Sequence, residues 1–100
     1  MNSLTLADKV AIVTGAGNGI GRAISAKFAA AGAAVACVDI DGKAADAAAR
    51  AIAENGGRSL ALRCDVSLEA DTRTAVETAQ SAFGAIHVLV NAAATDDPNG

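Results

Sequence analysis

The chain has 100 residues, 52% of them hydrophobic and 19% charged, which is too apolar for a disordered segment and sized for one domain or part of one. A net charge of −3, with no basic patch and only Phe28 and Phe83 as aromatics, argues against a nucleic-acid partner. The longest apolar run, Phe28 to Val38, spans eleven residues, whereas a membrane-crossing helix needs roughly 20, so no membrane partner is expected.

Met1 to Asp8 places no basic cluster before an apolar stretch, which reads against a secretory signal and for a cytoplasmic protein. Lys9 to Thr14 is a short β-branched run closed by Gly15, the pattern of a strand buried on both faces. From Gly19 to Ala31 the residues Ile20, Ala23, Ile24, Phe28 and Ala31 recur at helical spacing and predict an inward stripe. Gly32 stops that helix. Ala34 to Val38 is a second buried strand ending at Asp39. Asp41 is placed to cap a helix from Gly42 to Asn55, with Ala45, Ala48, Ala49 and Ile52 inward. Ser59 to Cys64 reads as a third strand. Ser67 is expected to cap a helix from Leu68 to Phe83, with Leu68, Thr72, Ala75, Val76, Ala79 and Phe83 inward. Ile86 to Asn91 is a fourth strand. Strict alternation predicts an α/β fold: a doubly wound parallel sheet in the order 3-2-1-4, with the first two helices on one face and the third on the other.

The segment Thr14-Gly15-Ala16-Gly17-Asn18-Gly19-Ile20-Gly21 joins the first strand to the first helix. Gly15 suits the tight exit from the strand. Gly19 admits a bulky anion to the backbone, and Gly21 lets the helix pack close to the sheet. The helix start then offers free N–H groups and its positive dipole end to a pyrophosphate. Asp39 stands eighteen residues beyond Gly21, at the end of the second strand. A dinucleotide fold uses an acid there to bind the adenosine ribose hydroxyls. With Ile40 and Asp41 after it, and Asn18 in place of a basic residue, NAD is favoured over NADP. The plain alternative is that Asp39 or Asp41 only caps the next helix.

These residues resemble the short-chain dehydrogenase/reductase family, whose glycine variant matches Thr14-Gly15-x-x-x-Gly19-x-Gly21. Asp65-Val66 follows the third strand, where the family holds the adenine, and Asn91-Ala92-Ala93-Ala94 stands where it usually has Asn-Asn-Ala-Gly. The resemblance covers the chain from about residue 6 onward. It implies cofactor contacts at Gly15, Asn18, Gly19, Ile20, Gly21, Asp39, Asp65, Val66, Asn91, Ala92 and Ala93. Ala92 and Ala94 depart from the family pattern by removing side-chain hydrogen bonds and adding a Cβ near the cofactor.

The family's Ser and Tyr-x-x-x-Lys are not matched, and the chain contains no Tyr, so no catalytic residue is assigned. The reading is the N-terminal part, residues 1–100, of one NAD(P)-binding domain of an oxidoreductase acting on an alcohol or carbonyl. The complete protein would take a small-molecule substrate and form a homo-oligomer, and the 100 residues alone would be inactive. The alternatives are a non-catalytic dinucleotide-binding module or an inactive truncated product. His87 reads as structural, and Cys37 and Cys64, which fit no metal spacing, read as buried free thiols.

Overall fold

The computed structural model describes residues 5–92. Chain order is β1 (Val10–Thr14), α1 (Gly19–Ala30), β2 (Ala34–Asp39), α2 (Gly42–Glu54), β3 (Arg58–Arg63), α3 (Glu69–Phe83) and β4 (Val88–Asn91). The four strands form one sheet in the order β3-β2-β1-β4, every pair parallel. Ile12 stands beside Ala36 on one side and Leu89 on the other, so β1 and β2 are interior strands. That position explains their near-continuous apolar sequence, because both faces are covered.

Side chains alternate across the sheet with period two. Val13, Val35 and Cys37 meet Ala48, Ala49 and Ile52 of α2, with Ile24 and Phe28 of α1 packed beside them. Ile12, Ala36 and Val38 face the other way, against Ala75 and Ala79 of α3. The expected winding, two helices on one face and the third on the other, is therefore observed. In α2 the inward set is the expected Ala45, Ala48, Ala49 and Ile52, and Asp41 caps the helix by accepting from the Lys43 and Ala44 N–H groups.

Two helix faces differ from expectation. In α1 the buried residues are Gly21 and Ser25, while Ile20 is 76% exposed and Ala23 is exposed. The bare Gly21 approaches the Gly15 carbonyl, and this contact, not the apolar stripe, sets the helix's rotation. Ser25 tolerates burial because its hydroxyl donates to the Gly21 carbonyl at 2.8 Å. At α3 the cap position falls on Leu68, which makes no side-chain cap. Ser67 instead gives its N–H and hydroxyl to Asp65 Oδ1, at 3.0 and 2.6 Å, which commits it to a turn. Leu68 and Thr72 are exposed. His87 lies one residue before β4, where its Nδ1 accepts the Val10 N–H at 3.0 Å, a structural role as expected.

Among the described residues β4 pairs only with β1, and Leu89 is 64% exposed. An open strand edge beside a wet leucine favours association with other chains. The 100-residue chain expressed alone should therefore self-associate in sedimentation, and Leu89→Lys should reduce the associated fraction. A monodisperse monomer before substitution would sink this expectation.

Cys37 and Cys64 are both buried and unpaired. Burial pushes the Cys37 thiol up from 9.0 to about 11, against the opposing effects of the Ser25 hydroxyl and the Arg22 charge. Burial raises Cys64 as well. A raised thiol pKa means that the folded state holds its proton longer than the unfolded chain does. The resulting stability is complete below pH 9.0 and lost as pH rises toward about 11. Urea midpoints should fall across that window, and neither native thiol should be alkylated quickly near pH ~8. Rapid labelling of the folded protein would contradict this.

Candidate functional site

The winding reverses between β1 and β4, whose carboxyl ends flank that point, with the end of β2 next to β1 on its other side. Open α/β sheets bind ligands at that point. The glycine loop leaves β1 here. Gly15 has φ +69° and Gly19 φ +54°, left-handed conformations that side chains rarely adopt. A Cβ on Gly19 would meet no protein atom within 4 Å, so its side of the loop is open. A Cβ on Gly21 would strike the Gly15 carbonyl. Gly21 is thus bare for packing, against the loop itself more than the sheet, and Gly19 is bare for approach from outside.

Helix α1 begins without a side-chain cap: Asn18 holds the cap position with extended backbone and its side chain makes no cap hydrogen bond. No acid occupies the first turn. By contrast α2 is capped by Asp41, and α3 carries Glu69 and Asp71 in its first turn. The first α1 bond runs from the Arg22 N–H to the Asn18 carbonyl, 3.3 Å. The N–H groups of Gly19, Ile20 and Gly21 precede it, which makes this the electropositive end suited to an anion. Ile20 is exposed beside them.

Asp39 closes β2 and is only 8% exposed. Its Oδ2 accepts the Gly17 N–H at 2.9 Å and its Oδ1 the Asp41 N–H at 3.0 Å. The acid is therefore joined to the glycine loop through backbone, and the capping role falls to Asp41. Each oxygen keeps lone-pair capacity for a further donor, such as a ribose hydroxyl.

On the α3 side, a cleft at the strand ends is lined by Thr14, Val38, Cys64, Val66, Leu89 and Asn91, with α3 residues completing it. Its apolar walls suit a flat ring. Asp65 lies between the lining residues Cys64 and Val66, and the Ser67 hydroxyl and N–H hold its carboxyl below the usual range. The Asp65 N–H donates to Asp71 Oδ2 at 3.0 Å, which fixes the loop to α3. The Thr14 hydroxyl donates to Asn91 Oδ1 at 2.8 Å, and the Ala92 N–H reaches the Thr14 carbonyl at 3.2 Å. Ala93 and Ala94 lie outside the described residues.

Sequence reasoning assigned no site role to Thr14, Gly17 or Asp71. Thr14 and Gly17 stand within the motif, so their position was the available signal, although Gly17 acts through Asp39, 22 residues away; Asp71 acts through a loop contact six residues back that spacing does not reveal. Among the described residues there is no cluster able to hold a metal ion, and no helix is long and apolar enough to cross a membrane.

The two glycines give separable expectations. Gly21→Ala forces a Cβ into fixed backbone and should cost about 3 kcal/mol. Gly19→Ala meets open space and should cost about 1 kcal/mol, for its left-handed backbone alone. Chemical denaturation should rank Gly21→Ala below Gly19→Ala; the reverse order would contradict the packing described.

Residues 9–99 match the family model of the short chain dehydrogenases. The chain is 40% identical over 97 residues to the 7alpha-hydroxysteroid dehydrogenase of Escherichia coli strain K12, covering 97% of this chain and 38% of that protein. It is 42% identical over 96 residues to a 4-formylbenzenesulfonate dehydrogenase of Comamonas testosteroni, covering 96% of this chain and again 38% of the relative. Among solved structures, a 7alpha-hydroxysteroid dehydrogenase complexed with NADH and 7-oxo glycochenodeoxycholic acid superposes with a TM-score of 0.88 at 41% identity. That match covers 91% of this chain and 36% of the other. The chain thus spans well under half the length of these relatives.

Proposed function

Since the chain belongs to the short-chain dehydrogenase family, we propose that it forms the dinucleotide-binding part of an NAD-dependent oxidoreductase acting on an alcohol or carbonyl substrate. One observation carries the reading. The uncapped start of α1 and the Asp39 carboxylate stand at neighbouring strand ends, joined by the Gly17 N–H at 2.9 Å from Oδ2.

The residues present fit the dinucleotide. The open side of Gly19 and the N–H groups at the start of α1 receive the pyrophosphate, with Asn18 and Ile20 flanking it. Asp39 accepts the ribose hydroxyls through its remaining lone pairs, and its charge disfavours a 2′-phosphate. Val66 and the apolar cleft take the adenine, while Asp65, oriented by the Ser67 hydroxyl and N–H, accepts a hydrogen bond from it. Asn91, held by Thr14, and Ala92, whose N–H reaches the Thr14 carbonyl, line the path along β4. The bound nicotinamide supplies or takes the hydride, and the protein's part is to orient it.

The preference for NAD is supported by the NADH in the related complex as well as by Asp39. The proposed substrate is a small molecule, and the proposed working form a homo-oligomer in the cytoplasm, where free thiols such as Cys37 and Cys64 persist. No residue described here serves as the proton donor to substrate.

Calorimetric titration tests this. NAD should bind the full-length protein more tightly than NADP. Asp39→Ala should weaken NAD by about tenfold or more, roughly one charge-assisted hydrogen bond, and NADP by less. Equal losses for both would remove Asp39 from cofactor selection. Turnover by the 100-residue chain alone would contradict the assignment of its residues to binding only.

A further inference from the structure

Gly17 sits in the middle of the glycine loop, buried, and its bareness has a different cause from that of its neighbours. Its backbone is not left-handed, so conformation does not require glycine there. Space does. A Cβ on Gly17 would run into the Cβ of Ala44 in the first turn of α2, and would stand 2.9 Å from Ala44 backbone carbon and from Asp39 Oδ2. The same residue's N–H holds Asp39 Oδ2 at 2.9 Å, while the Asp41 N–H holds Oδ1 at 3.0 Å.

We propose that Gly17 is a specificity-determining positioning residue: lacking a side chain, it clamps the Asp39 carboxylate in place, and the clamped acid rejects a 2′-phosphate by fixed position as well as by charge. The inference rests on the reading of Asp39 as the ribose ligand. A carboxylate has about four lone-pair sites. Two backbone donors take one on each oxygen and leave one on each for the two ribose hydroxyls. An exposed, mobile aspartate could rotate away from a 2′-phosphate, and water and salt would screen its charge. Asp39 is 8% exposed, and rotating it strands two backbone N–H groups. A diol completes the arrangement, whereas a 2′-phosphate brings further acceptors against acceptors that cannot withdraw. Ala44 closes the far side of Gly17, so the first turn of α2 is part of the clamp.

The test is calorimetric binding of NAD and of NADP to the full-length protein, with circular dichroism to verify folding. Gly17→Ala displaces Asp39 from the Gly17 N–H, and the NADP-to-NAD ratio of Kd values should fall by about tenfold, mainly through weaker NAD. Asp39→Glu keeps the charge but carries the carboxylate one methylene beyond its two donors. It should lower the ratio comparably, and it decides the matter if Gly17→Ala does not fold. An unchanged ratio in folded Gly17→Ala, or in Asp39→Glu, overturns the clamp. Equal weakening of both cofactors by Gly17→Ala also overturns it, because a purely structural lesion does not discriminate. In these cases a wild-type preference for NAD leaves the reading of Asp39 standing. A wild-type protein without that preference overturns the reading and the clamp together.

Discussion

The packing of Gly21 against the Gly15 carbonyl governs the arrangement at the strand ends. Two stretches of backbone come together there with no side chain between them. This brings α1 close to the end of β1, turns Ser25 inward and Ile20 outward, and leaves the first N–H groups of the helix facing open space. Any side chain at residue 21 would push the helix off the loop. The loop would then lose the conformation that presents Gly17 to Asp39. The chemistry of the site follows from a steric condition met in the first turn of one helix.

Much of this was readable from residue order. Buried β1 and β2 announce themselves as short apolar runs, the first rich in β-branched residues, ended by Gly15 and Asp39, and strict alternation with helices leaves a parallel sheet as the natural outcome. Helix α2 was legible in face and cap, because its buried positions recur at helical spacing and Asp41 has no competing partner. Helix α1 was not. Its rotation depends on a glycine contact that hydropathy does not register, and its inward polar residue, Ser25, is satisfied by its own helix. The start of α3 misled for a related reason: Ser67 has two possible partners, and the Asp65 carboxylate outcompetes the helix end. Of the site residues, the motif glycines and Asp39 carry their signal in spacing. Gly17 matters through Ala44, and Asp71 through Asp65, and neither relation exists before the chain is folded.

Alanine is abundant, 27 of 100 residues, and it shapes the energetics. Helix α2 buries three alanines and a single large side chain, Ile52. On the opposite face α3 buries only Ala75 and Ala79, with Val76 and Phe83 half-covered. Small side chains remove little apolar area from water, so each helix adheres to the sheet through closeness of fit more than through bulk. Such an interface gains little from any one residue and loses much when a bulky one intrudes.

Asp41 links two parts of the molecule that would otherwise be described separately. Its carboxylate ties down the Lys43 and Ala44 N–H groups, and its own N–H holds the Asp39 carboxylate. Ala44 in turn forms the wall behind Gly17. The end of a helix and the edge of a binding site are one mechanical unit. Fraying of the first turn of α2, ordinarily a local and inconsequential motion, would here slacken the acid proposed to read the ligand. The fidelity proposed for recognition thus hangs on a single helical turn, a unit small enough to open locally while the sheet stays intact.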